Sequence, residues 1–203
     1  TVPTAVQDQA IPSILAGRDV MVGAPTGTGK TAAFALPMIQ MLTEEQVATG
    51  RVRPRLLILA PTRELAVQVE KAMSGFVSTT HLRSLVVYGG VDMRKQIRAL
   101  KNGIDILVAT PGRLLDLAGH GYADLGGVTK VILDEADRML DMGFVGDIRH
   151  IMSGLPQINQ RLLFSATYPA PVKKLADELL AKDYERITVD VANSASALVE
   201  QRV

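Results

Sequence analysis

Residues 24–31 read Ala24-Pro25-Thr26-Gly27-Thr28-Gly29-Lys30-Thr31. A short apolar stretch, residues 19–23, precedes them, and a stretch with helical spacing, residues 30–42, follows. Strand, glycine-bearing loop, Lys-Thr pair and helix, in that order, make a phosphate loop. Glycine lets backbone amides turn toward phosphate oxygens, and the helix N-terminus adds a favourable dipole. Ala24 holds the place usually given to the first glycine, while Thr28-Gly29-Lys30-Thr31 fits the pattern fully. Lys30 is expected on the β- and γ-phosphates and the Thr31 hydroxyl on Mg²⁺. The plain alternative, a glycine-rich turn ahead of a helix, does not require all four parts in sequence.

Outward from this loop, apolar runs alternate with amphipathic stretches. Strands are expected over residues 19–23, 56–60, 83–88, 104–109, Lys130–Leu133, 161–164 and 186–191. Helices are expected over residues 30–42, 64–77, Met93–Lys101, 111–118, Val145–Ser153 and 171–181. Pro37 should bend the first of these. Asn102-Gly103 closes the third, and Pro111 stands near the start of the fourth. Residues 44–54 read as a polar loop and residues 192–203 as a small, polar linker or tail. The strands are continuously apolar rather than alternating, so both faces of the sheet should be covered. That predicts one α/β domain, a mostly parallel sheet of about seven strands with helices on both faces.

The chain has 203 residues, 47% hydrophobic and 21% charged, the balance of a globular domain. Lys and Arg number 22 against 21 Asp and Glu, a net charge of +1. No global field attracts nucleic acid, so any such partner must bind through local donors. There is no Cys, which excludes disulfides and thiolate metal sites and fits a reducing cytoplasm. His81, His120 and His150 share no metal-ligand spacing. No signal pattern opens the sequence and no apolar run is long enough to span a membrane. A soluble, cytoplasmic protein is expected.

A second motif, Asp134-Glu135-Ala136-Asp137, follows the strand Lys130–Leu133. In open α/β sheets the carboxyl ends of the strands line the ligand crevice. Asp134 can hold Mg²⁺ through water, and Glu135 can orient and deprotonate an attacking water. Three carboxylates so close repel one another without a cation or donors. A solvated acidic turn capping a helix is the alternative, and the phosphate loop upstream weighs against it.

Together these residues resemble the DEAD-box RNA helicases, whose naming tetrapeptide is Asp134 to Asp137. Pro3-Thr4-Ala5-Val6-Gln7 looks like the Q motif, and the family's phosphate loop normally begins with Ala, as here. Pro61-Thr62-Arg63-Glu64-Leu65, Gly89-Gly90, Thr110-Pro111-Gly112-Arg113 and Ser165-Ala166-Thr167 match further family motifs in order. The resemblance covers essentially the whole chain and implies a three-layer RecA-like fold with ATP and Mg²⁺ as cofactors. It implies that Gln7 bonds the adenine edge, that Thr4 supports the phosphate loop, and that Lys30, Asp134 and Glu135 are catalytic. Asp137, Ser165 and Thr167 would couple ATP state to RNA state. The segments at 61–64, 89–90 and 110–113 would contact the RNA backbone. Each ends a strand and opens a helix or turn, so amides are available to phosphate, with Arg63 and Arg113 adding charge.

The resemblance also sets expectations about extent. Residues 1–191 would be the first RecA-like domain and 192–203 the start of an interdomain linker. The second RecA-like domain, a partner in the same enzyme, is not in this chain, since no His-Arg-x-Gly-Arg sequence is present. The family's aromatic residue upstream of the Q motif is absent as well. The domain alone is expected to be monomeric and nearly inactive. The stretch 134–144, DEADRMLDMGF, is similar to bacterial RhlE-like and SrmB-like members. Two other readings stay open: a DNA-directed P-loop ATPase or translocase, and a non-enzymatic RNA-binding scaffold. The Q motif and the 61–65 segment argue against the first, intact Lys30, Asp134 and Glu135 against the second.

Overall fold

The computed structural model describes residues 2–45 and 53–189. The expected tail at 192–203, the last two residues of the expected strand at 186–191 and most of the polar loop at 44–54 lie outside these residues. Among the described residues the strands are β1 (Val20–Gly23), β2 (Leu56–Leu59), β3 (Ser84–Val87), β4 (Ile106–Ala109), β5 (Lys130–Leu133), β6 (Gln160–Ser165) and β7 (Glu185–Thr188). The helices are α1 (Ala5–Leu15), α2 (Lys30–Glu44), α3 (Arg63–Val77), α4 (Met93–Lys101), α5 (Pro111–Gly119), α6 (Ala136–Asp141), α7 (Val145–Ser153) and α8 (Ala170–Leu179). Every expected strand and helix is present, most with ends moved by one or two residues. Pro37 lies buried inside α2, which continues through it.

All strand pairs are parallel, and they run in the order β3-β4-β2-β5-β6-β1-β7. β1, β2, β4 and β5 are buried at every position, as continuous apolar runs predict. The outermost strands are only partly covered, with Ser84 and Leu85 half-buried in β3 and Arg186 and Thr188 exposed in β7.

Side chains alternate across the sheet, so neighbouring residues join different cores. Val20, Val22, Leu56, Ile58, Ile106 and Val108 pack against α1, α2 and α3. Met21, Leu57, Leu59, Leu107, Ala109 and Leu133 pack against apolar residues of α4 through α8. Phe34 of α2 meets Phe164 of β6 edge to face, with centroids 5.1 Å apart. The sheet is thus the middle of three layers.

Two helices were not legible as periodic stretches. α1 contains Pro12, which removes one intrahelical donor and reads as a break. α6 has six residues, too few to show a 3.6-residue period. Lys130 is a charged residue in a central strand, 2% exposed, and its ammonium is paired with Glu45.

Candidate functional site

Strand order decides which motifs meet. β5, β6 and β1 are neighbours, so the acidic motif, Ser165-Ala166-Thr167 and the phosphate loop emerge side by side at their carboxyl ends. β3, β4 and β2 are neighbours too, so Gly89-Gly90, Thr110–Arg113 and Pro61–Glu64 emerge together at the other side of the same rim. The pairing of β2 with β5 joins the two groups.

The first group surrounds a concavity of about 490 Å³ lined by Thr26, Gly27, Gly29, Lys30, Thr31, Asp134 and Glu135. Leu65, the last residue of the 61–65 motif, completes it with Gln68, Val69 and Arg138, which were not among the expected site residues. They come from the first two turns of α3 and the first turn of α6, which face the loop across the rim. Ala24, Pro25 and Thr28 shape the turn instead: the Ala24 N–H donates to the Ser165 carbonyl at 3.2 Å and the Thr28 hydroxyl to the Pro25 carbonyl at 2.7 Å. Gly29 caps α2 with φ of 93°, a left-handed conformation that favours glycine. A Cβ there would also stand 2.6 Å from Gln7 Nε2 and 3.1 Å from Thr4 Oγ1.

The Q-motif segment therefore lies directly against the loop. Gln7 Nε2 donates to the Gly29 carbonyl at 3.3 Å, and Gln7 Oε1 accepts from the Thr4 N–H at 3.1 Å. This ties the start of α1 to the N-terminus of α2.

Lys30 is 7% exposed, and among the described residues its buried ammonium has no hydrogen-bond partner. A desolvated, unpaired ammonium beside a glycine-rich helix N-terminus fits the phosphates of a nucleotide, whose charge would complete it. Asp134 is equally buried, and burial pushes its carboxyl up to about 6, while the Lys30 charge pulls it down and Glu135 pushes it up. The Glu135 N–H donates to Asp134 Oδ1 at 3.0 Å. Glu135 itself has φ of 54°, the left-handed region that non-glycine residues avoid, and among the described residues it is the one non-glycine there. Its carboxylate is 3.7 Å from Arg138 Nη1.

Asp137 faces the other way. Burial would raise its carboxyl, but hydrogen bonds from Thr167 and the Arg138 N–H outweigh that and hold it below its ordinary value. The Asp137 N–H donates to Ser165 Oγ at 3.2 Å, and Ser165 Oγ donates to the Thr167 carbonyl at 2.8 Å. The three residues expected to couple the sites form one hydrogen-bonded unit.

Residues 4–175 match the family described as DEAD/DEAH box helicase. The chain belongs to this family. It is 44% identical over 216 residues to DEAD-box ATP-dependent RNA helicase 52A of Oryza sativa subsp. japonica, covering 99% of this chain and 36% of that protein. It is 47% identical over 178 residues to probable ATP-dependent RNA helicase ddx17 of Dictyostelium discoideum, covering 88% and 23%. A crystal structure of a DEAD box protein from Methanococcus jannaschii superposes with a TM-score of 0.85 at 38% identity, covering 94% of this chain and 51% of that one. The chain spans about a third of the length of the curated relatives it matches. These relatives are a plant, a slime mould and fungi, and they lend the bacterial subgroup no support.

In this DEAD-box domain the second group of motifs lines a shallower concavity of about 530 Å³, formed by Pro61, Thr62, Arg63, Gly89, Thr110, Gly112 and Arg113. Asp116 joins it, outside every motif, together with Met142 and Phe144 from the end of the 134–144 stretch, which were not among the expected site residues. Glu64, Gly90 and Pro111 do not line it. Glu64 is exposed in the first turn of α3, where a carboxylate complements the helix dipole. Arg63 is exposed, as a phosphate contact requires. Arg113 differs from expectation: its side chain is 10% exposed, and Nη2 donates to the Val91 carbonyl at 3.2 Å. Projecting from α5 back onto the glycine doublet, it holds that loop in place more than it adds surface charge.

Proposed function

We propose that this domain is the ATP-binding half of an ATP-dependent RNA helicase, working with a second RecA-like domain to open short RNA duplexes. The observation that carries the reading is the unpartnered Lys30 ammonium, buried opposite Asp134 and Glu135 in one concavity. Thr31 and Asp134 would hold Mg²⁺, which supplies charge neutralisation at the β- and γ-phosphates. Lys30 binds those phosphates, the loop amides orient them, and Glu135 accepts the proton of the attacking water.

The RNA face supports the same reading. Three loops from adjacent strands present amides and Arg63 along one rim, a pattern suited to a sugar-phosphate backbone and carrying little base information. Ser165 and Thr167, at and just past the end of β6, bond Asp137 of α6, and α6 runs from the acidic motif toward Met142 and Phe144 at the second concavity, so a change at the phosphates has a route to the RNA side.

Residues 1–191 form the domain in this proposal, and 192–203 begin the linker. The domain alone is a monomer in the cytoplasm, a reducing compartment suited to a chain without Cys. The bacterial subgroup rests on the 134–144 stretch alone.

ATP turnover of the two-domain protein, measured with RNA and with DNA, tests the reading. Stimulation by RNA alone, abolished by Glu135→Gln with ATP binding retained, is expected. Equal stimulation by DNA would favour a DNA translocase, and unchanged turnover in Glu135→Gln would remove Glu135 from the chemistry.

A further inference from the structure

The Arg63 guanidinium lies over the Tyr88 ring, its Cζ 5.1 Å from the ring centroid. Tyr88 follows β3 and directly precedes Gly89-Gly90, outside every motif assigned above. Its backbone is fastened: Gln96 Nε2, from a side chain 7% exposed, donates to the Tyr88 carbonyl at 3.1 Å. On the far side of the doublet the Val91 carbonyl accepts from Arg113. The loop that carries the ring is therefore held at both ends, whereas Arg63 is a long side chain on an exposed helix turn. Such a side chain loses rotamer freedom when it grips a phosphate, and a ring already beneath it lowers that loss. Among the described residues no hydrogen bond engages the Tyr88 hydroxyl, so the ring face is the part that acts.

We propose that Tyr88 is a positioning residue for RNA, its ring holding the Arg63 guanidinium at the rim of the concavity before a backbone phosphate arrives. This rests on the RNA reading above. Guanidinium suits the arrangement better than ammonium, because it stacks flat and keeps its in-plane donors for phosphate. Gln96 serves the same end one step removed, by fixing the carbonyl of the residue that bears the ring.

The test is fluorescence anisotropy of labelled oligouridylate with this chain over a salt series starting at low ionic strength. Arg63→Ala should weaken binding and flatten the slope of log K against log salt by about 0.7, one phosphate contact to a single strand. Tyr88→Leu should weaken it about two- to fivefold and flatten the slope in the same direction. Tyr88→Phe should restore wild-type affinity and slope. In the Arg63→Ala background, Tyr88→Leu should change neither. Equal losses with and without Arg63 would mean that the ring touches RNA or merely supports the loop, and would overturn the proposal. So would an unchanged affinity for Tyr88→Leu in the presence of Arg63. A wild-type chain that binds no RNA at low salt would overturn the RNA reading itself. Binding that depends on Arg63 but not on Tyr88 would overturn this inference alone.

Discussion

Thr167 gives both of its donors to one oxygen of Asp137: the hydroxyl at 2.7 Å and the backbone N–H at 2.9 Å from Oδ2. The last residue of the acidic tetrapeptide is thereby tied to the end of β6, and those bonds help hold its carboxyl below the ordinary range. Thr167→Val removes the hydroxyl and keeps the shape. The Asp137 pKa should then rise toward its ordinary value in an NMR carboxyl titration. In the two-domain protein ATP should still bind while RNA no longer accelerates turnover. A pKa that does not move would detach Thr167 from Asp137 in solution.

Asp134 carries a cost that the fold bears without nucleotide or metal. Burial lifts its carboxyl from 3.8 to about 6. A native state that holds a proton more tightly than the unfolded chain gains stability from it below the unfolded value. It loses that stability as pH rises through the folded value. Asp134→Asn removes the titration. In metal-free and nucleotide-free buffer at neutral pH the variant should be more stable than wild type, by on the order of 1–3 kcal/mol. The advantage should vanish near pH 4. Thermal melts across that range would show it, and a variant less stable at neutral pH would contradict the assignment.

Gly23 ends β1 just before the phosphate loop, and the Tyr168 ring lies against it. A Cβ at Gly23 would stand 1.6 Å from Tyr168 Oη. Gly23→Ala should therefore displace the ring and cost about 1–3 kcal/mol, as overpacking does. Adding Tyr168→Ala should recover part of that loss, because the clash has one identified partner. Chemical denaturation of both single variants and the double variant decides the matter, and strictly additive losses would mean that the ring is not the obstacle.

The phosphate loop was legible because its chemistry is local: two glycines, a Lys-Thr pair and the strand and helix around them all lie within one stretch. The acidic motif was legible for the same reason, whereas the segments at 61–64, 89–90 and 110–113 stood out only through the family resemblance. The strand order was not. Nothing in residues 20–23 says that β1 inserts between β6 and β7, yet that insertion brings Ser165 beside Ala24. Residues that reach a site from the flank of a helix were missed for a related reason. Gln68 and Val69 look like ordinary helix positions until α3 is docked across the loop. Met142 and Phe144 reach the second concavity only because α6 is short and ends there. The burial of Arg113 was also hidden, since its target is a backbone carbonyl on another loop.

Lys30, the loop glycines and Gln7 build an adenine-nucleotide site in this reading, and equilibrium competition is its sharpest test. Labelled ADP bound to this chain should be displaced by unlabelled ADP and not by a similar concentration of GDP. Gln7→Ala should weaken ADP and erase the difference between the two. Displacement by GDP as effective as by ADP would contradict adenine selection by Gln7. Failure of ADP to bind at all would contradict the reading of the buried Lys30 ammonium as a phosphate ligand.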